Sequence, residues 1–552
     1  MIHVKLISPQ KEERELILQK ACTIESLLKE IACEHTVVLA KLDNAYRALT
    51  HIVYHDCTIE LLDISNNAAW LTYQSSLCLL YIKAVHDILG KDRLVTINNS
   101  LNKGLYTLIH PKASRAEISR IEERMKDLSE LDVPIKKVYM TKKEALDLCT
   151  ASKMKETRKL VETLDENIRD IEIYSLDDEL GIYYNLMVPS TSYLKLFELV
   201  EYKNGVLLRY PHPTSIDSVP EYKDEPLLYN AFREANRWSS LMGINFINDL
   251  NETVRKGEYR DIILLQEALH EGNIAAIAKT IHALNKKIVL ICGPSSSGKT
   301  TFANRLSIQL KANGLKTLYL GTDDYFKNLD EREILPSGEP ELESIKAVET
   351  KLLKDNLESL MNGEETDLPV FEFKKNRKIF GTRVTKLDRN QIIVLEGIHA
   401  LNPAVTEGMN KDDIYKIYIS PLTPLGIDHH NRIPTTDARL LRRLVRDCKF
   451  RGRSPEQVLR EWVNVREGED VNIFPFNNEA DCFFNSNCLY ELSILKKYAQ
   501  DLLMQIKRDK KEYAEAQRLL RFLKYVVTLE DESYILGNSI IREFTGGSII
   551  LK

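Results

Sequence analysis

The chain has 552 residues, which is too long for one hydrophobic core, so we expect about three or four domains. Its formal net charge is −5 and 28% of its residues are charged, so no global field favours nucleic acid, and RNA contact would require a local patch. The nine cysteines form no C-x-x-C pair, which indicates reduced thiols in the cytoplasm. No apolar run approaches the roughly 20 residues of a membrane span, and the charged N-terminus is unlike a signal peptide.

The first unit, residues 1–64, shows the patterns of a small α/β domain. A helix is predicted over 23–31, where Thr23 precedes apolar residues at helical spacing. Strand-like alternation covers 2–6, 37–42 and 58–63. This order resembles the TGS module, a ubiquitin-like β-grasp domain at the front of threonyl-tRNA synthetases and some GTPases. The resemblance implies a β-grasp fold here.

The second unit, residues 65–213, combines helical patterns at 71–89, 117–128 and 142–151 with strand patterns at 104–109 and 205–210. It resembles the second additional domain of threonyl- and alanyl-tRNA synthetases, an α+β domain that hydrolyses mischarged tRNA. That family binds a metal through an H-x-x-x-H pair and a later Cys/His pair. Here Tyr73 and Leu77 stand at the first pair, and the later stretch 197–202 has neither Cys nor His. We therefore expect no editing hydrolase activity and no zinc, with the fold retained as a scaffold shaped for RNA or substrate.

Prolines at 211, 213 and 220 mark a linker, so residues 214–286 are interpreted as a linker and helical connector. In the connector, Phe232 and Trp238 are predicted to be packing anchors. Strong helical periodicity covers 490–527, and residues 501–552 are predicted to be a C-terminal helical extension. The tail over 538–548 yields no predicted element beyond a turn at its glycine pair.

A phosphate-binding loop is predicted at Gly293–Thr300, whose sequence GPSSSGKT fits G-x-x-x-x-G-K-[ST]. The apolar run 288–292 precedes it as a buried strand, and a helical segment, 301–310, follows. The helix N-terminus favours phosphate, Lys299 would reach the β- and γ-phosphates, and the Thr300 hydroxyl would bind Mg²⁺. The predicted ATP-binding residues are Gly293, Pro294, Ser295, Ser296, Ser297, Gly298, Lys299, Thr300 and Thr301.

Two further strands are predicted to end in acids. The strand 317–322 leads into Asp323 and Asp324, and one of these could accept a proton from an attacking hydroxyl. Because adjacent strand residues point to opposite faces, we expect only one of the two to face the γ-phosphate. The strand 391–395 ends in Glu396, a Walker-B-like acid expected to hold Mg²⁺.

An arginine-rich helix is predicted after these strands. Guanidinium groups suit phosphate oxygens, so a mobile arginine lid over the γ-phosphoryl group is one interpretation. A solvated basic face or an RNA patch is the other. The arginines expected to share one helix face are Arg439, Arg442, Arg443 and Arg446, with Leu440, Leu441, Leu444 and Val445 on the other face.

Together with LPVFEF at 368–373 and VLEGI at 394–398, these motifs resemble the uridine kinase/phosphoribulokinase family, and the front units resemble those of its long bacterial nucleoside kinases. The resemblance implies that Asp323 is the catalytic base, that Glu396 organises magnesium, and that Lys299, Arg446 and Arg451 contact the phosphates. It implies acceptor contacts at Glu343, Phe371, Asn376, Arg443 and Arg453. Phe371 and Asn376 replace a tyrosine and a histidine that contact the base in uridine kinases, and Phe326 replaces another tyrosine, so the acceptor need not be uridine.

The sequence therefore predicts an α/β multidomain protein: a β-grasp N-terminal domain, an α+β synthetase-like domain and a P-loop kinase domain with a parallel sheet at 287–500. We expect a cytoplasmic, ATP- and Mg²⁺-dependent kinase acting on a hydroxyl of a small acceptor, foremost the 5′-hydroxyl of a nucleoside. The alternative is an RNA-binding regulatory protein that uses the phosphate-binding loop as a nucleotide sensor. The sequence leaves open the acceptor, RNA contact through the front domains and a homo-oligomeric state.

Overall fold

The computed structural model describes residues 1–164, 171–334, 341, 343–373 and 375–551. In this part of the chain no helix combines the length and apolar character that crossing a membrane requires. The strands form several sheets, and these sheets come from successive segments of the chain.

The N-terminal unit is built on a mixed five-stranded sheet in the order β2-β1-β7-β4-β5, in which β1 and β7 run parallel. Its elements are β1 (Ile2–Ile7), β2 (Glu13–Leu18), β3 (Cys22–Thr23), α1 (Ile24–Leu27), β4 (Val37–Leu42), β5 (Ala45–Arg47), β6 (Ile52–Val53) and β7 (Cys57–Asp63). The helix expected over 23–31 is shorter than predicted, because a 3₁₀ turn at Leu28–Glu30 follows α1. Thr23 does begin it, since its hydroxyl accepts from the Ser26 N–H. The assignment to a TGS module stays a prediction.

The middle unit wraps two sheets, β13-β14-β9-β8 and β10-β11-β12, around one central helix. That helix, α2, is buried along most of its length, and Asn66 caps its N-terminus. The helices are α2 (Asn67–Leu89), α3 (Arg115–Glu130), α4 (Lys142–Ala151) and α5 (Lys155–Glu162). The strands are β8 (Leu94–Leu101), β9 (Gly104–His110), β10 (Ile135–Met140), β11 (Ile171–Leu176), β12 (Glu179–Gly181), β13 (Glu198–Tyr202) and β14 (Gly205–Arg209). Its likeness to a synthetase domain also stays a prediction.

Three connector helices follow: α6 (Pro226–Leu241), α7 (Ile247–Lys256) and α8 (Tyr259–Ala283). Helix α8 contributes Ile263, Ile274 and Ile281 to the same core cluster as the phosphate-binding domain. Phe232 is buried against Leu422. The connector is therefore packed on the kinase domain rather than suspended between domains.

The kinase domain contains a parallel sheet in the order β16-β21-β15-β22-β23. All five residues of β15 are buried, as expected for a strand covered on both faces. The sheet strands are β15 (Ile288–Cys292), β16 (Lys316–Gly321), β21 (Gln391–Glu396), β22 (Ile414–Ser420) and β23 (Cys482–Asn485); short pairs join β17 (Thr366–Asp367) to β20 (Val384–Thr385) and β18 (Val370–Glu372) to β19 (Arg377–Ile379). The helices are α9 (Lys299–Ala312), α10 (Thr350–Met361), α11 (Pro403–Thr406), α12 (Thr435–Phe450) and α13 (Pro455–Asn472). From β15 the chain goes to β16 and β21 on one side, and it then crosses to β22 and β23 on the other side. This reversal of strand order opens a ligand crevice at the carboxyl end of β15.

The C-terminal segment completes this core instead of extending from it. Residues 490–527, predicted to be strongly helical, form two helices, α14 (Glu491–Met504) and α15 (Tyr513–Leu523). They are separated at 507–512, which has no apolar side chain to bury. The last helix, α16, spans Arg542–Thr545. Core side chains from this segment include Leu503, Leu519, Phe522, Ile540 and Phe544.

Candidate active site

The phosphate-binding loop joins β15 to α9, and its glycines are required by the space around them. A Cβ on Gly293 would lie 2.1 Å from the Ile419 carbonyl oxygen, so no other residue fits there. Gly298 has φ of 87°, which favours glycine, and begins α9. The loop contains every predicted ATP-binding residue from Gly293 to Gly298, while Lys299, Thr300 and Thr301 form the first turn of α9.

Lys299 is buried beside the loop, and its Nζ donates to the Pro294 carbonyl oxygen at 3.2 Å. Burial raises the pKa values of Asp323, Glu343 and Glu396, and the charge of Lys299 opposes the rise at all three, so its field reaches the acids of the crevice. The lysine therefore lies at the electrostatic centre of the crevice. We call Lys299, Thr300, Asp323, Glu396 and Arg451 the kinase cleft.

Glu396 ends β21 opposite Thr300, whose Oγ1 lies 3.5 Å from Glu396 Oε2. Tyr319 donates to the same carboxylate oxygen at 2.8 Å. Burial raises the pKa of Glu396 to about 7, although Lys299 opposes the shift. A hydroxyl and a carboxylate oxygen this close form an oxygen donor set that fits Mg²⁺, so Thr300 and Glu396 would hold the ion.

Asp323 and Asp324 lie in a 3₁₀ turn, Thr322–Tyr325, rather than in the preceding strand. Strand alternation therefore does not apply to these two side chains, and their different surroundings have another cause. Asp324 accepts from the Phe371 N–H at 3.2 Å and pairs with Arg383 at 3.4 Å. Asp323 opens to the crevice, where desolvation raises its pKa while Lys299 and Arg451 lower it. Asp323 is thus available for chemistry and Asp324 is engaged in structure.

The predicted arginine face divides into two groups, which corrects the expectation of one phosphate-facing row. Arg439 and Arg442 are fully buried and donate to the carbonyl oxygens of Ser295 at 3.0 Å and Ser296 at 3.4 Å. They also pair with Glu469 and Glu491, so they hold the loop in shape from behind and cannot act as a mobile lid.

The second group surrounds the buried carboxylate of Asp447. Arg446 Nε lies 2.7 Å and Arg451 Nε 3.4 Å from its Oδ1, and Arg443 Nε lies 3.5 Å from its Oδ2. Burial opposes ionisation of Asp447, but these arginines lower its pKa below the usual range. The side chain of Arg451 is 57% exposed, so it can turn toward an anion in the cleft. Arg453 pairs with Glu461, which also receives Arg443 at 3.4 Å.

The predicted acceptor residues fall into two places. Glu343 packs against Gly468, and burial raises its pKa to about 7 while Arg443 lowers it. Phe371 instead packs edge-on against Phe326, with 5.9 Å between ring centroids. Arg332 connects Asn376 to Phe371. It donates to Asn376 Oδ1 at 2.9 Å, and its guanidinium group stacks over the Phe371 ring.

Two side chains that the sequence analysis passed over also face this region. His399 is almost fully buried, and neither ring nitrogen has a hydrogen-bond partner among the described residues. Burial lowers its pKa to about 4, and Lys299 adds to the shift, so the ring is neutral at neutral pH. Glu469 is fully buried and accepts from the Ser295 N–H at 3.0 Å. His399 could have been predicted as a site residue, because it follows the strand-end acid Glu396 by three residues. No sequence pattern indicates that Glu469 contacts the phosphate-binding loop.

The C-terminal tail reaches the phosphate-binding loop, which no sequence pattern indicated. Glu543 Oε2 accepts from the Thr301 N–H at 3.3 Å and from the Thr301 hydroxyl at 2.7 Å. Ile540 packs so closely on Gly298 that a Cβ there would lie 2.5 Å from its Cγ2. A carboxylate therefore occupies the helix N-terminal donors at a predicted ATP-binding residue, Thr301.

A buried polar network anchors this tail. Glu267, His270 and Cys488 offer ligand atoms within 4.8 Å of one another, the kind of group that could hold a metal. Arg305, however, pairs with Glu267 at 3.3 Å, and the hydroxyls of Tyr490 and Ser539 donate to the same carboxylate. These contacts already balance the charge of Glu267 without a metal ion. They also link α8, α9 and the C-terminal tail.

Sequence comparison agrees with this geometry. The model of the "Phosphoribulokinase / Uridine kinase family" matches residues 288–490. Uridine kinase of Staphylococcus haemolyticus is 31% identical over 181 residues, which cover 33% of this chain and 78% of that protein. Uridine kinase of Staphylococcus epidermidis is 30% identical over 195 residues, 35% of this chain and 84% of that protein.

Among solved structures, a possible uridine kinase from Bacillus stearothermophilus aligns with 38% of this chain and 97% of its own, at 19% identity and a TM-score of 0.27. D-glycerate 3-kinase from Cryptococcus neoformans aligns with 53% of this chain and 88% of its own, at 13% identity and a TM-score of 0.20.

The fold and the site define a P-loop kinase domain with a parallel sheet. The chain belongs to the phosphoribulokinase/uridine kinase family. This membership supports an ATP-dependent kinase that acts on a small hydroxyl acceptor.

Proposed function

We propose that the protein is a nucleoside kinase that transfers the γ-phosphoryl group of ATP to the 5′-hydroxyl of a nucleoside. The observation that carries the proposal is Asp323, a carboxylate open to the crevice and within electrostatic reach of Lys299 and Arg451. A base, a phosphate-binding lysine and an exposed arginine in one crevice are what phosphoryl transfer to a hydroxyl requires.

The reaction assigns a task to each group. The acceptor oxygen forms a bond to the γ-phosphorus as the bond from that phosphorus to the β,γ-bridging oxygen breaks, so ADP leaves. Asp323 accepts the hydroxyl proton. Lys299 and the arginines around Asp447 stabilise the negative charge spread over the transferred group. When bound between Thr300 and Glu396, Mg²⁺ supplies further charge neutralisation at the phosphates.

The aromatic pair Phe326 and Phe371 supports a nucleoside acceptor. Phe371 is held next to the catalytic turn by its N–H bond to Asp324, so its ring lies near the expected hydroxyl site. Phe371 is 5% exposed and Arg332 covers its ring, so a nucleobase would stack on it in place of Arg332, and such stacking would not select the identity of the base. Arg332 and Asn376 present polar groups beside that ring and are the candidates for reading the base.

A screen of acceptors with radiolabelled ATP tests the proposal. The full chain is incubated with Mg²⁺ and single ribonucleosides, deoxyribonucleosides or sugars, and products are separated by chromatography, with Asp323→Asn as the control. We expect label in a nucleoside 5′-monophosphate from the unaltered protein and a large loss in the variant. Label in a sugar phosphate alone, or in inorganic phosphate alone with every acceptor, would refute the nucleoside assignment.

A further inference from the structure

A cavity of about 250 Å³ lies where the N-terminal unit, the middle unit and the C-terminal segment meet, and its lining residues differ from those of the kinase cleft. The N-terminal unit lines it with Tyr46 and Arg47, and the middle unit lines it with Thr72 and Asn185. The remaining wall comes from 508–521, in α15 and the turn before it. Of the described residues that line this junction cavity, none belongs to the kinase cleft.

Positive charge is concentrated in the junction cavity without matching negative charge. Arg47, Arg508 and Arg521 line it, and none of them has a carboxylate oxygen within 4.0 Å among the residues the structure describes. Burial lowers the pKa of Arg47, and the charges of Arg508 and Arg521 lower it further. Arg47 and Arg521 are half-buried and Arg508 is exposed. Like charges brought together in this way repel each other, so an anionic ligand would stabilise the arrangement.

The carboxylates near the junction cavity are engaged elsewhere. Arg518, the fourth arginine of the wall, makes a bidentate pair with Asp437 and also pairs with Glu515. Arg508 also lines a neighbouring cleft whose acids are Asp43, Glu60 and Asp509. Glu60 pairs with Lys41, and none of the three acids has a carboxylate oxygen within 4.0 Å of the Arg508 guanidinium nitrogens. Arg47 donates to the Tyr46 carbonyl oxygen at 2.9 Å, but none of the three remaining guanidinium groups makes an ion pair with the described residues, so all three can bind an added anion.

We propose that the junction cavity binds a small molecule carrying at least two phosphoryl charges, held by Arg47, Arg508 and Arg521. A guanidinium group matches phosphate oxygens with two parallel hydrogen bonds, and three such groups suit a pyrophosphate better than a single carboxylate. The volume is below the roughly 300–1,000 Å³ of sites for drug-sized ligands, which favours a compact phosphorylated compound. Single-stranded RNA would instead require an open groove with stacking platforms.

Calorimetric titration of the full chain with inorganic tripolyphosphate tests this site. We expect two binding events in the unaltered protein, one at the phosphate-binding loop and one at the junction cavity. Lys299→Ala should weaken only the first. The double variant Arg47→Gln/Arg521→Gln should weaken only the second by about 100-fold, since each lost charge-assisted contact costs about tenfold. The charge-matched control Arg120→Gln/Arg255→Gln, at exposed positions, should keep both.

Thermal unfolding in the Lys299→Ala background provides a second readout. Tripolyphosphate should raise the unfolding midpoint when the arginines are present and leave it unchanged in the double variant. The double variant without ligand should unfold close to its parent, because relief of the repulsion among the arginines offsets the loss of the Arg47 hydrogen bond to the Tyr46 carbonyl oxygen. A much lower midpoint, a single binding event that depends on Lys299 alone, or arginine-dependent binding of an RNA of about 20 nucleotides without tripolyphosphate binding would each overturn the proposal.

Discussion

The kinase cleft and helix α2 of the middle unit differ in whether their buried polar side chains have partners. In the cleft, Asp323 and Glu396 have raised pKa values, and the nearby ring of His399 has no partner among the described residues. In the middle unit, Tyr73 donates to the Leu196 carbonyl oxygen at 2.9 Å, and Leu77 is fully buried in the core. Perturbed acids and an unpartnered ring beside a phosphate-binding loop indicate a ligand site, whereas the paired hydroxyl of Tyr73 and the packed side chain of Leu77 leave nothing at this part of α2 for a ligand to complete.

This contrast means that substitutions in the two regions should have different consequences. Apart from the pH-dependent contribution of Glu396, a change in the kinase cleft should alter turnover and leave stability nearly intact. A change at the centre of the middle unit should alter stability and leave the turnover of the folded protein intact. Variants in the two regions test whether effects on turnover and effects on stability are divided in this way.

The largest expected effect is on turnover at Lys299. Lys299→Ala removes the charge that acts on every acid of the cleft, and we expect kcat to fall by at least about 10³-fold. Steady-state kinetics with the identified acceptor measure it. Lys311→Ala, at an exposed position on the same helix, serves as the matched control and should keep its rate. Near-normal turnover of folded Lys299→Ala protein would remove the basis for a functional loop.

Leu77→Ala should produce the largest effect in the middle unit. It deletes a fully buried side chain from the core, so the free energy of unfolding should fall by about 2–5 kcal/mol. Denaturant titration measures it, and Leu131→Ala, at a residue 66% exposed, should change stability by no more than about 0.5 kcal/mol. The kcat of folded Leu77→Ala protein should match the parent. Lost turnover with unchanged stability would place function where we see only packing.

Glu396 should link stability to pH. Its pKa is raised from 4.5 to about 7, so the folded state retains the proton at pH values where the unfolded state has lost it. Stability should therefore fall as pH rises from about 4.5 to about 7, and Glu396→Gln should remove that part of the slope. Denaturant titrations across this range compare the two proteins. Equal slopes would show that Glu396 has an ordinary pKa. Turnover should rise over the same interval, as the carboxylate ionises.

The smallest expected effect concerns the tail. Glu543→Gln removes a negative charge from the N-terminus of α9, where the phosphates of ATP are predicted to bind. The KM for ATP should fall by about two- to fivefold, the usual size of a charge effect at a helix end. Glu530→Gln changes an exposed acid of the same segment and should leave KM unchanged. A higher KM in Glu543→Gln would instead mean that this carboxylate assists ATP binding.

Local chemistry explains what could be predicted from the sequence. The phosphate-binding loop is readable because its whole sequence pattern lies within eight residues, and the apolar run of β15 identifies a strand buried on both faces. Glu396 was found for the same reason, since it directly ends such a strand. The broken helix at 490–527 was missed because helical periodicity on both sides hid a stretch without apolar residues.

Long-range contacts explain what could not be predicted. Arg439 and Arg442 look identical to Arg443 and Arg446 in sequence, but their partners Glu469 and Glu491 lie 30 and 49 residues further along the chain. Glu543 and Thr301 are 242 residues apart. Three units must fold together before Arg47 meets Arg508 and Arg521. The helical spacing of residues in the sequence indicates which face of a helix a residue occupies. It does not indicate which other part of the chain packs against that face.

The two neighbouring aspartates offer the most direct test of the central claim, that Asp323 is the catalytic base. Asp323→Asn and Asp324→Asn remove the same charge from adjacent positions of one turn, so kcat with the true acceptor separates chemistry from structure. We predict that Asp323→Asn lowers kcat by about 10²–10⁴-fold, with the KM for ATP nearly unchanged. Asp324→Asn should stay within about threefold of the parent, because its contacts with Phe371 and Arg383 are structural. A large loss in Asp324→Asn together with an active Asp323→Asn protein would contradict the account.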